Sequence, residues 1–129
     1  MASVELTADT FEKTVLEGGT VFVDFWADWC GPCKRFAPVY EAASEQHSDI
    51  VFGKVDTESE QALAAAANIT SIPTLMAFRD GILVFSQPGA LPAQGLEQVI
   101  EGVKGLDMDA VRADIESQKQ PSGGEEATG

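Results

Sequence analysis

Residues 25–35 have the sequence Phe-Trp-Ala-Asp-Trp-Cys-Gly-Pro-Cys-Lys-Arg. This stretch contains both cysteines of the chain and both of its tryptophans. Residues 20–27 are apolar at nearly every position, which favours a central strand covered on both faces. After the cysteines, apolar side chains recur at helical spacing, and a helix should start near Pro32 or Cys33, because the N–H that proline lacks would have no partner there. We therefore expect a buried strand, a turn that carries the cysteine pair, and a helix that runs to about Gln46.

The rest of the chain predicts an α/β domain. Four further strands are expected, at about residues 3–6, 50–56, 74–78 and 82–85. Three further helices are expected: one with Thr7 as its N-cap, one from a capping box at residues 57–60 to about Asn68, and one at about residues 92–104. Asp80-Gly81 is a hairpin signal, because both residue types tolerate positive φ. The resulting order, β-α-β-α-β-α-β-β-α, predicts one domain with a mixed sheet.

The composition limits the possible functions. The 129 residues are 44% hydrophobic and carry a net charge of −13 with only 8 Lys and Arg, so a nucleic-acid partner is not expected. The N-terminal residues lack the basic and apolar segments of a secretory signal, and no apolar run approaches the roughly 20 residues of a membrane span. We therefore expect a soluble, cytoplasmic protein. In that reducing compartment a cysteine pair is more often catalytic or metal-binding than structural.

The pair Cys30 and Cys33, separated by Gly31-Pro32, has the spacing of thiol–disulfide chemistry. At a strand-to-helix junction the first sulfur lies ahead of free backbone N–H groups, which favour the nucleophilic thiolate. The second sulfur lies one turn further on, close enough to form a disulfide with the first. A structural zinc site is the alternative. It needs four ligands, whereas the chain offers one cysteine pair and one histidine, His47, which is expected on the surface of the following helix.

One motif resembles the active-site signature of thioredoxins: Trp29-Cys30-Gly31-Pro32-Cys33-Lys34, preceded by Asp24-Phe25-Trp26-Ala27. Further matches occur in the family's order: Lys54-Val55-Asp56, Ser71-Ile72-Pro73-Thr74-Leu75, Phe78-Arg79-Asp80-Gly81 and Gly89-Ala90-Leu91. The resemblance covers about residues 4–104 and is closest to bacterial-type thioredoxins. It implies the thioredoxin fold over residues 1–105, with a central mixed five-stranded sheet flanked by four helices.

The chain continues past this region of resemblance. Residues 106–119 have a narrow apolar stripe, Met108, Val111 and Ile115, and are expected to form an extra short helix capped by Asp107. This helix either packs on the domain or serves a partner. Residues 120–129 are expected to be a disordered tail, because they have almost no side chains that a core could bury.

The resemblance implies four catalytic residues. Cys30 would be the exposed attacking nucleophile and Cys33 the shielded resolving thiol. Asp24 lies in the middle of an apolar strand, where burial should raise the pKa of its carboxyl and make it a candidate proton acceptor for Cys33. Lys54, also within an apolar strand, would be the charge partner of Asp24. The alternative is that Asp24 and Lys54 both reach solvent at a sheet edge.

The resemblance also implies a substrate-binding surface around Cys30. Its members come from three separate segments of the chain: Trp29, Gly31, Pro32, Ile72, Pro73, Gly89 and Ala90. The bond between Ile72 and Pro73 is expected to be cis, as in the family's loop beside the active site. Because the proline offers no N–H, the backbone of Ile72 would be free to pair with an extended substrate segment. Trp26 is expected to pack beneath the loop rather than to contact substrate.

The implied function is that of a general protein disulfide reductase, which cycles between dithiol and disulfide through a mixed disulfide with its target. The resemblance further implies a monomer with no bound cofactor or metal, recharged with electrons from NADPH by a flavoprotein thioredoxin reductase. Its partners would be that reductase and disulfide-containing proteins. Two alternatives stay open: an oxidase or isomerase of the same fold, and a non-catalytic interaction module.

Overall fold

A computed structural model describes residues 2–119 of the chain, and the apolar run before the cysteines forms the middle strand of the sheet. The described residues form five strands and five helices. The strands are β1 (Val4–Glu5), β2 (Thr20–Trp26), β3 (Val51–Asp56), β4 (Thr74–Arg79) and β5 (Ile82–Pro88). The helices are α1 (Phe11–Glu17), α2 (Gly31–Gln46), α3 (Gln61–Ala66), α4 (Ala93–Lys104) and α5 (Met108–Lys119). The predicted order of strands and helices is confirmed.

The strands lie in the order β1-β3-β2-β4-β5. The sheet is mixed as expected, because β2 is parallel to β3 and antiparallel to β4, while β1 is parallel to β3. The hairpin between β4 and β5 turns at Asp80 and Gly81, whose φ angles are 55° and 82°. Since β2 is the middle strand, the cysteine pair that follows it lies at the centre of one end of the sheet.

The two faces of the sheet bury separate clusters of side chains. On one face, α2 and α4 cover Phe22 and Phe52, whose rings stack 5.6 Å apart, and Tyr40 of α2 lies in the same cluster. On the other face, α1 and α3 cover the alternate side chains of β2, among them Val23. Because successive side chains of a strand point to opposite faces, Asp24 points to the side covered by α2.

The predicted cap of the first helix is wrong. Thr10 is the N-cap residue of α1, not Thr7. The carbonyl oxygen of Thr7 instead accepts hydrogen bonds from the N–H groups of Thr10 at 3.1 Å and Phe11 at 2.9 Å. Residues 7–10 therefore form a turn ahead of the helix, a rearrangement that side-chain preference at a single position does not reveal.

The predicted capping box at residues 57–60 is also wrong. Its two end residues form hydrogen bonds with distant parts of the backbone instead of with each other. The hydroxyl of Thr57 donates to the carbonyl oxygen of Trp26 at 3.0 Å, and the carboxylate of Glu60 accepts from the N–H of Ala8 at 2.9 Å. Tertiary partners have thus displaced the local pattern, and α3 begins only after Glu60.

The prediction of His47 as a surface residue is wrong as well. Its side chain is 12% exposed, and its Nε2 lies 2.9 Å from a carboxylate oxygen of Glu97 on α4. The ring of Phe52 lies 6.5 Å from the histidine ring. His47 is the C-cap residue of α2, and α4 lies on the same face of the sheet, so the neighbouring helix covers a position that would otherwise reach solvent.

Helix α5 packs on the rest of the domain. The carboxylate of Asp107 accepts a backbone hydrogen bond at its start, as expected for the cap. Met108 is buried at 6% exposure, and the guanidinium of Arg112 lies 3.2 Å from the carboxylate of Asp80 in the hairpin turn. The expected tail, 120–129, lies outside the described residues.

Candidate active site

The cysteine pair lies between β2 and α2, and Cys30 is the N-cap residue of the helix. The backbone N–H of Cys33 donates a hydrogen bond to Cys30 Sγ at 3.2 Å. The two residues are joined by a disulfide, with 5.2 Å between their Cα atoms, and Pro32 lies in the first turn. In the dithiol form, the same N–H group and the N-terminus of the helix would favour a thiolate at Cys30.

The two sulfurs open onto different clefts. Cys30 lines a cleft of about 410 Å³ together with four of the predicted residues: Trp29, Gly31, Pro32 and Ile72. Cys33 lines a smaller cleft of about 180 Å³. Cys30 and Cys33 are 4% and 3% exposed, so the expectation of an exposed Cys30 is wrong for the disulfide form. What distinguishes Cys30 is the larger cleft, which leaves room for a polypeptide segment to approach its sulfur.

One wall of the larger cleft comes from residues that sequence reasoning did not identify. They follow β3, lie in α3 or precede β4: Thr57, Ala64, Ile69, Thr70 and Ser71. Small and apolar residues of this kind equally suit segments that only pack on a sheet, so their local pattern carries no functional signal. Ser71 alone had such a signal, because it belongs to the matched motif that contains Ile72-Pro73.

Trp29 also lines the larger cleft and is 69% exposed. Its indole N–H donates a hydrogen bond to the carboxylate of Glu58 at 3.1 Å. An aromatic side chain that is tethered at its polar end offers apolar contact area to a partner at low entropic cost. Sequence reasoning missed Glu58, which lies 29 residues further along the chain.

The peptide bond between Ile72 and Pro73 is cis, as expected. The carbonyl oxygen of Ile72 lies 3.7 Å from Cys30 Sγ, and that of Pro73 accepts a hydrogen bond from the N–H of Gly89 at 2.8 Å. The three predicted segments are therefore neighbours. Gly89, with a φ of 107°, and Ala90 are exposed, but they do not line the larger cleft.

Asp24 lies in the middle of β2 and is 1% exposed. Within residues 2–119, neither of its carboxylate oxygens has a hydrogen-bond partner. Burial raises the pKa of this carboxyl from 3.8 to about 7, against the opposing effect of the nearby Lys54 charge. The alternative in which Asp24 reaches solvent at a sheet edge is wrong, because β2 has a paired strand on each side.

Lys54 lies beside Asp24 in the neighbouring strand β3, in register with it. Among the described residues the two side chains do not form a salt bridge. The ammonium of Lys54 instead lies 5.0 Å from the centre of the Trp26 ring, and Trp26 packs against the cysteine pair as expected. Lys54 therefore acts on Asp24 through its electrostatic field rather than through direct contact.

Within residues 2–119, no three His, Cys, Asp or Glu side chains converge in a way that would hold a metal ion. His47, the histidine considered for a zinc site, contacts Glu97 at the end of α2. Over the same described residues, the helices are all too short or too polar to cross a lipid bilayer.

The thioredoxin family profile matches residues 2–102. A putative thioredoxin 2 of Streptomyces coelicolor is 52% identical over 122 residues, which are 95% of this chain and 91% of that relative. The thioredoxin of Bacillus subtilis is 38% identical over 101 residues, which are 78% of this chain and 96% of that relative.

A solved structure of Plasmodium falciparum thioredoxin has a TM-score of 0.72 to this chain at 37% sequence identity. The match covers 78% of this chain and 97% of the other. The fold, the cysteine pair and these relatives all indicate the same family. The chain belongs to the thioredoxin family and is a thiol–disulfide oxidoreductase that acts as a protein-disulfide reductase.

Proposed function

We propose that the chain reduces the disulfides of many target proteins through a mixed disulfide on Cys30. The position of Cys30 carries this proposal, because its sulfur lies at a helix N-terminus and opens onto a cleft large enough for a peptide segment. The Cys30 thiolate attacks one sulfur of the target disulfide. The target S–S bond breaks, a bond between Cys30 Sγ and the target forms, and the second target sulfur leaves as a thiolate.

The second step resolves this intermediate. The Cys33 thiolate attacks Cys30 Sγ, the bond to the target breaks, and the first target sulfur leaves as a thiolate. The Cys30–Cys33 disulfide forms at the same time. Two electrons have then passed from the cysteine pair to the target, whose two thiolates take up protons.

Asp24 is proposed as the acceptor of the Cys33 proton. A carboxyl with a pKa of about 7 is half ionised near neutral pH, which suits it to take a proton from a thiol. Its side chain points to the face that α2 covers, and Cys33 lies in the first turn of that helix. A water in the smaller cleft, which Cys33 and Lys54 line, would carry the proton toward Asp24, the neighbour of Lys54 in the sheet. The charge of Lys54 lowers the pKa of the Asp24 carboxyl and would thereby keep it able to ionise near neutral pH.

The surface around Cys30 is proposed to bind an extended segment of the target. Trp29 and Pro32 supply apolar contacts in the larger cleft, and the backbone of Ile72, close to Cys30 Sγ, would pair with the target segment as a neighbouring strand does. The other proposed members are Gly31, which lines the same cleft, the exposed residues Gly89 and Ala90, and the buried Pro73.

The oxidised protein is proposed to be recharged by a flavoprotein thioredoxin reductase with electrons from NADPH, so that the chain itself binds no cofactor. We further propose a cytoplasmic monomer that serves electron transport and cell redox homeostasis. Residues 1–105 would be the catalytic domain, and α5 an addition to it. The net charge of −13 supports the expectation that nucleic acid is not a partner.

Reduction of insulin disulfides in the presence of dithiothreitol tests the proposal. The wild type should accelerate insulin precipitation, Cys30→Ser should abolish the acceleration, and Cys33→Ser should retain targets as mixed disulfides. A Cys30→Ser/Cys33→Ser double variant is the matched control for trapping and should retain none. Activity that survives Cys30→Ser would refute the role of Cys30.

A second assay tests the recharging step. With a thioredoxin reductase present, the consumption of NADPH should depend on both this protein and insulin.

A further inference from the structure

Three charged residues form a row across β1, β3 and β2. Glu5 is in register with Lys54, and Lys54 is in register with Asp24. Laterally paired residues of a sheet point to the same face. Leu6 belongs to the cluster on the α1 and α3 side, so Glu5, the preceding residue, points to the α2 side together with Asp24. Lys54 is thus flanked by a carboxylate on each neighbouring strand.

The charges around this row are mostly negative. Asp56 lies two residues after Lys54 on β3, and α2 contributes Glu41. Burial opposes the ionisation of Glu41, but hydrogen bonds from Ser3, the charge of Lys54 and a hydrogen bond from Ser44 lower its pKa overall. The other titratable groups that face the row or line the smaller cleft are Tyr40, Cys33, Lys34 and Asp28. On its other side Asp24 is in register with the uncharged Leu75 of β4. Lys54 therefore lies among carboxylates whose negative charges partly offset its effect on Asp24.

The effect of Glu5 on Asp24 has a definite sign. The negative charge of Glu5 opposes the ionisation of Asp24 and thereby offsets part of the favourable effect of Lys54. The pKa of Asp24 is raised first by burial, is lowered by Lys54 and is raised again by Glu5. Glu5 is exposed and in a two-residue strand, so replacing it should not disturb the core.

We propose that Glu5 is a positioning residue of the reductase reaction. Its charge acts on Asp24 from the other side of Lys54 and thereby sets the pH range in which Asp24 accepts the Cys33 proton. This inference rests on the proposed role of Asp24. Two strand spacings separate the backbones of Glu5 and Asp24 by about 10 Å. At that distance and at effective dielectric constants between those of a protein surface and water, removing the Glu5 charge should lower the midpoint of the Asp24 titration by roughly 0.3–1.2 pH units.

Carboxyl ¹³C NMR of the oxidised protein over the neutral pH range measures the Asp24 midpoint directly, with Asp24→Asn to assign the signal. The midpoint should fall in Glu5→Gln and fall further in Glu5→Lys. Glu12→Gln is the matched control: it removes the same charge from an exposed position on α1, on the opposite face of the sheet, and should leave the midpoint unchanged. An unchanged midpoint in Glu5→Gln and Glu5→Lys, or an equal shift in Glu12→Gln, would overturn the proposal.

The reaction supplies the second readout. The rate at which Cys33 resolves a mixed disulfide preformed on Cys30 should have its pH profile displaced by the same amount in Glu5→Gln and not in Glu12→Gln. A moved Asp24 titration with an unmoved rate profile would overturn the role of Glu5 in the reaction. A wild type that reduces no insulin would refute the proposed function and, with it, the role of Glu5. An active wild type whose titration or rate profile does not respond to Glu5 would refute only the role of Glu5, so the two failures are distinguishable.

Discussion

Replacing Asp24 by Asn should stabilise the oxidised protein strongly at alkaline pH and hardly at all in acid. Asp24 is 1% exposed, and burial raises its pKa from 3.8 to about 7. Since one pKa unit corresponds to about 1.4 kcal/mol, ionised Asp24 lowers the free energy of unfolding by about 4 kcal/mol relative to a neutral side chain. Asn has nearly the same shape and no charge.

The sign of the pH dependence follows from proton binding. Between pH 3.8 and about 7 the folded protein keeps a proton on Asp24 that the unfolded chain has released. Raising the pH through this window therefore favours the unfolded state. Below the window both states are protonated and the cost is absent. Above it both are ionised and the full cost remains.

Guanidinium unfolding of the oxidised wild type and Asp24→Asn at about pH 4 and about pH 8.5 measures this difference. The variant should exceed the wild type by about 4 kcal/mol at the higher pH and by little at the lower. Asp9→Asn, at an exposed position, is the matched control and should change stability by less than about 0.5 kcal/mol at either pH. A pH-independent difference between wild type and Asp24→Asn would refute the reasoning, because it would mean that burial does not oppose ionisation of Asp24.

Four further substitutions test the cleft, the core and α5. Trp29→Ala should raise the KM for protein disulfides with little change in Tm, because the residue is already 69% exposed; a large fall in Tm would contradict its proposed role as a contact for substrate. Tyr40→Phe should lower the free energy of unfolding by about 1–2 kcal/mol, because its buried hydroxyl donates to the carbonyl oxygen of Gly53 at 2.8 Å; unaltered denaturant unfolding would argue against that bond. Met108→Ala should cost about 2 kcal/mol or more, since the side chain is buried, whereas Arg112→Ala, whose ion pairs are exposed, should cost much less. Equal losses in the same unfolding assay would show that apolar contact does not hold α5.

The proposed role of Asp24 explains why so costly a side chain lies in the core. A neutral residue in the middle of β2 would give a more stable protein, and nothing in the packing of the strand calls for a carboxylate. The hydrogen bonds that would compensate its burial are missing within the described residues. The lost stability and the raised pKa of Asp24 have the same origin. The desolvation that destabilises the folded state also raises the pKa of this carboxyl to about 7.

The incorrect sequence predictions for Thr57, Glu60 and His47 share one cause. Thr57 and Glu60 have the residue types of a capping box, yet both form hydrogen bonds with distant segments. His47 follows a helix where a polar residue normally faces solvent, yet α4 covers it. In each case a partner far away in the chain offered a better contact than the local one, and local patterns contain no information about such partners.

The sequence by itself determined the strand, the turn and the helix around the cysteine pair. Continuous apolarity before Cys30, Pro32 in the first turn and helical spacing after it act over a few residues, so they are visible without the fold. It also marked Asp24 as anomalous, since a carboxylate inside an apolar strand is costly wherever that strand lies.

Only the tertiary structure decided what surrounds these groups. Ile72 lies beside Cys30 Sγ across 42 residues of sequence, and Glu5 shares Lys54 with Asp24 because β1 and β2 both pair with β3. Strand pairing depends on how whole segments bury their apolar faces together, not on the charges that become neighbours as a result. The spacing of the cysteines is therefore local, while the electrostatic environment that we propose to control their chemistry is a property of the assembled sheet.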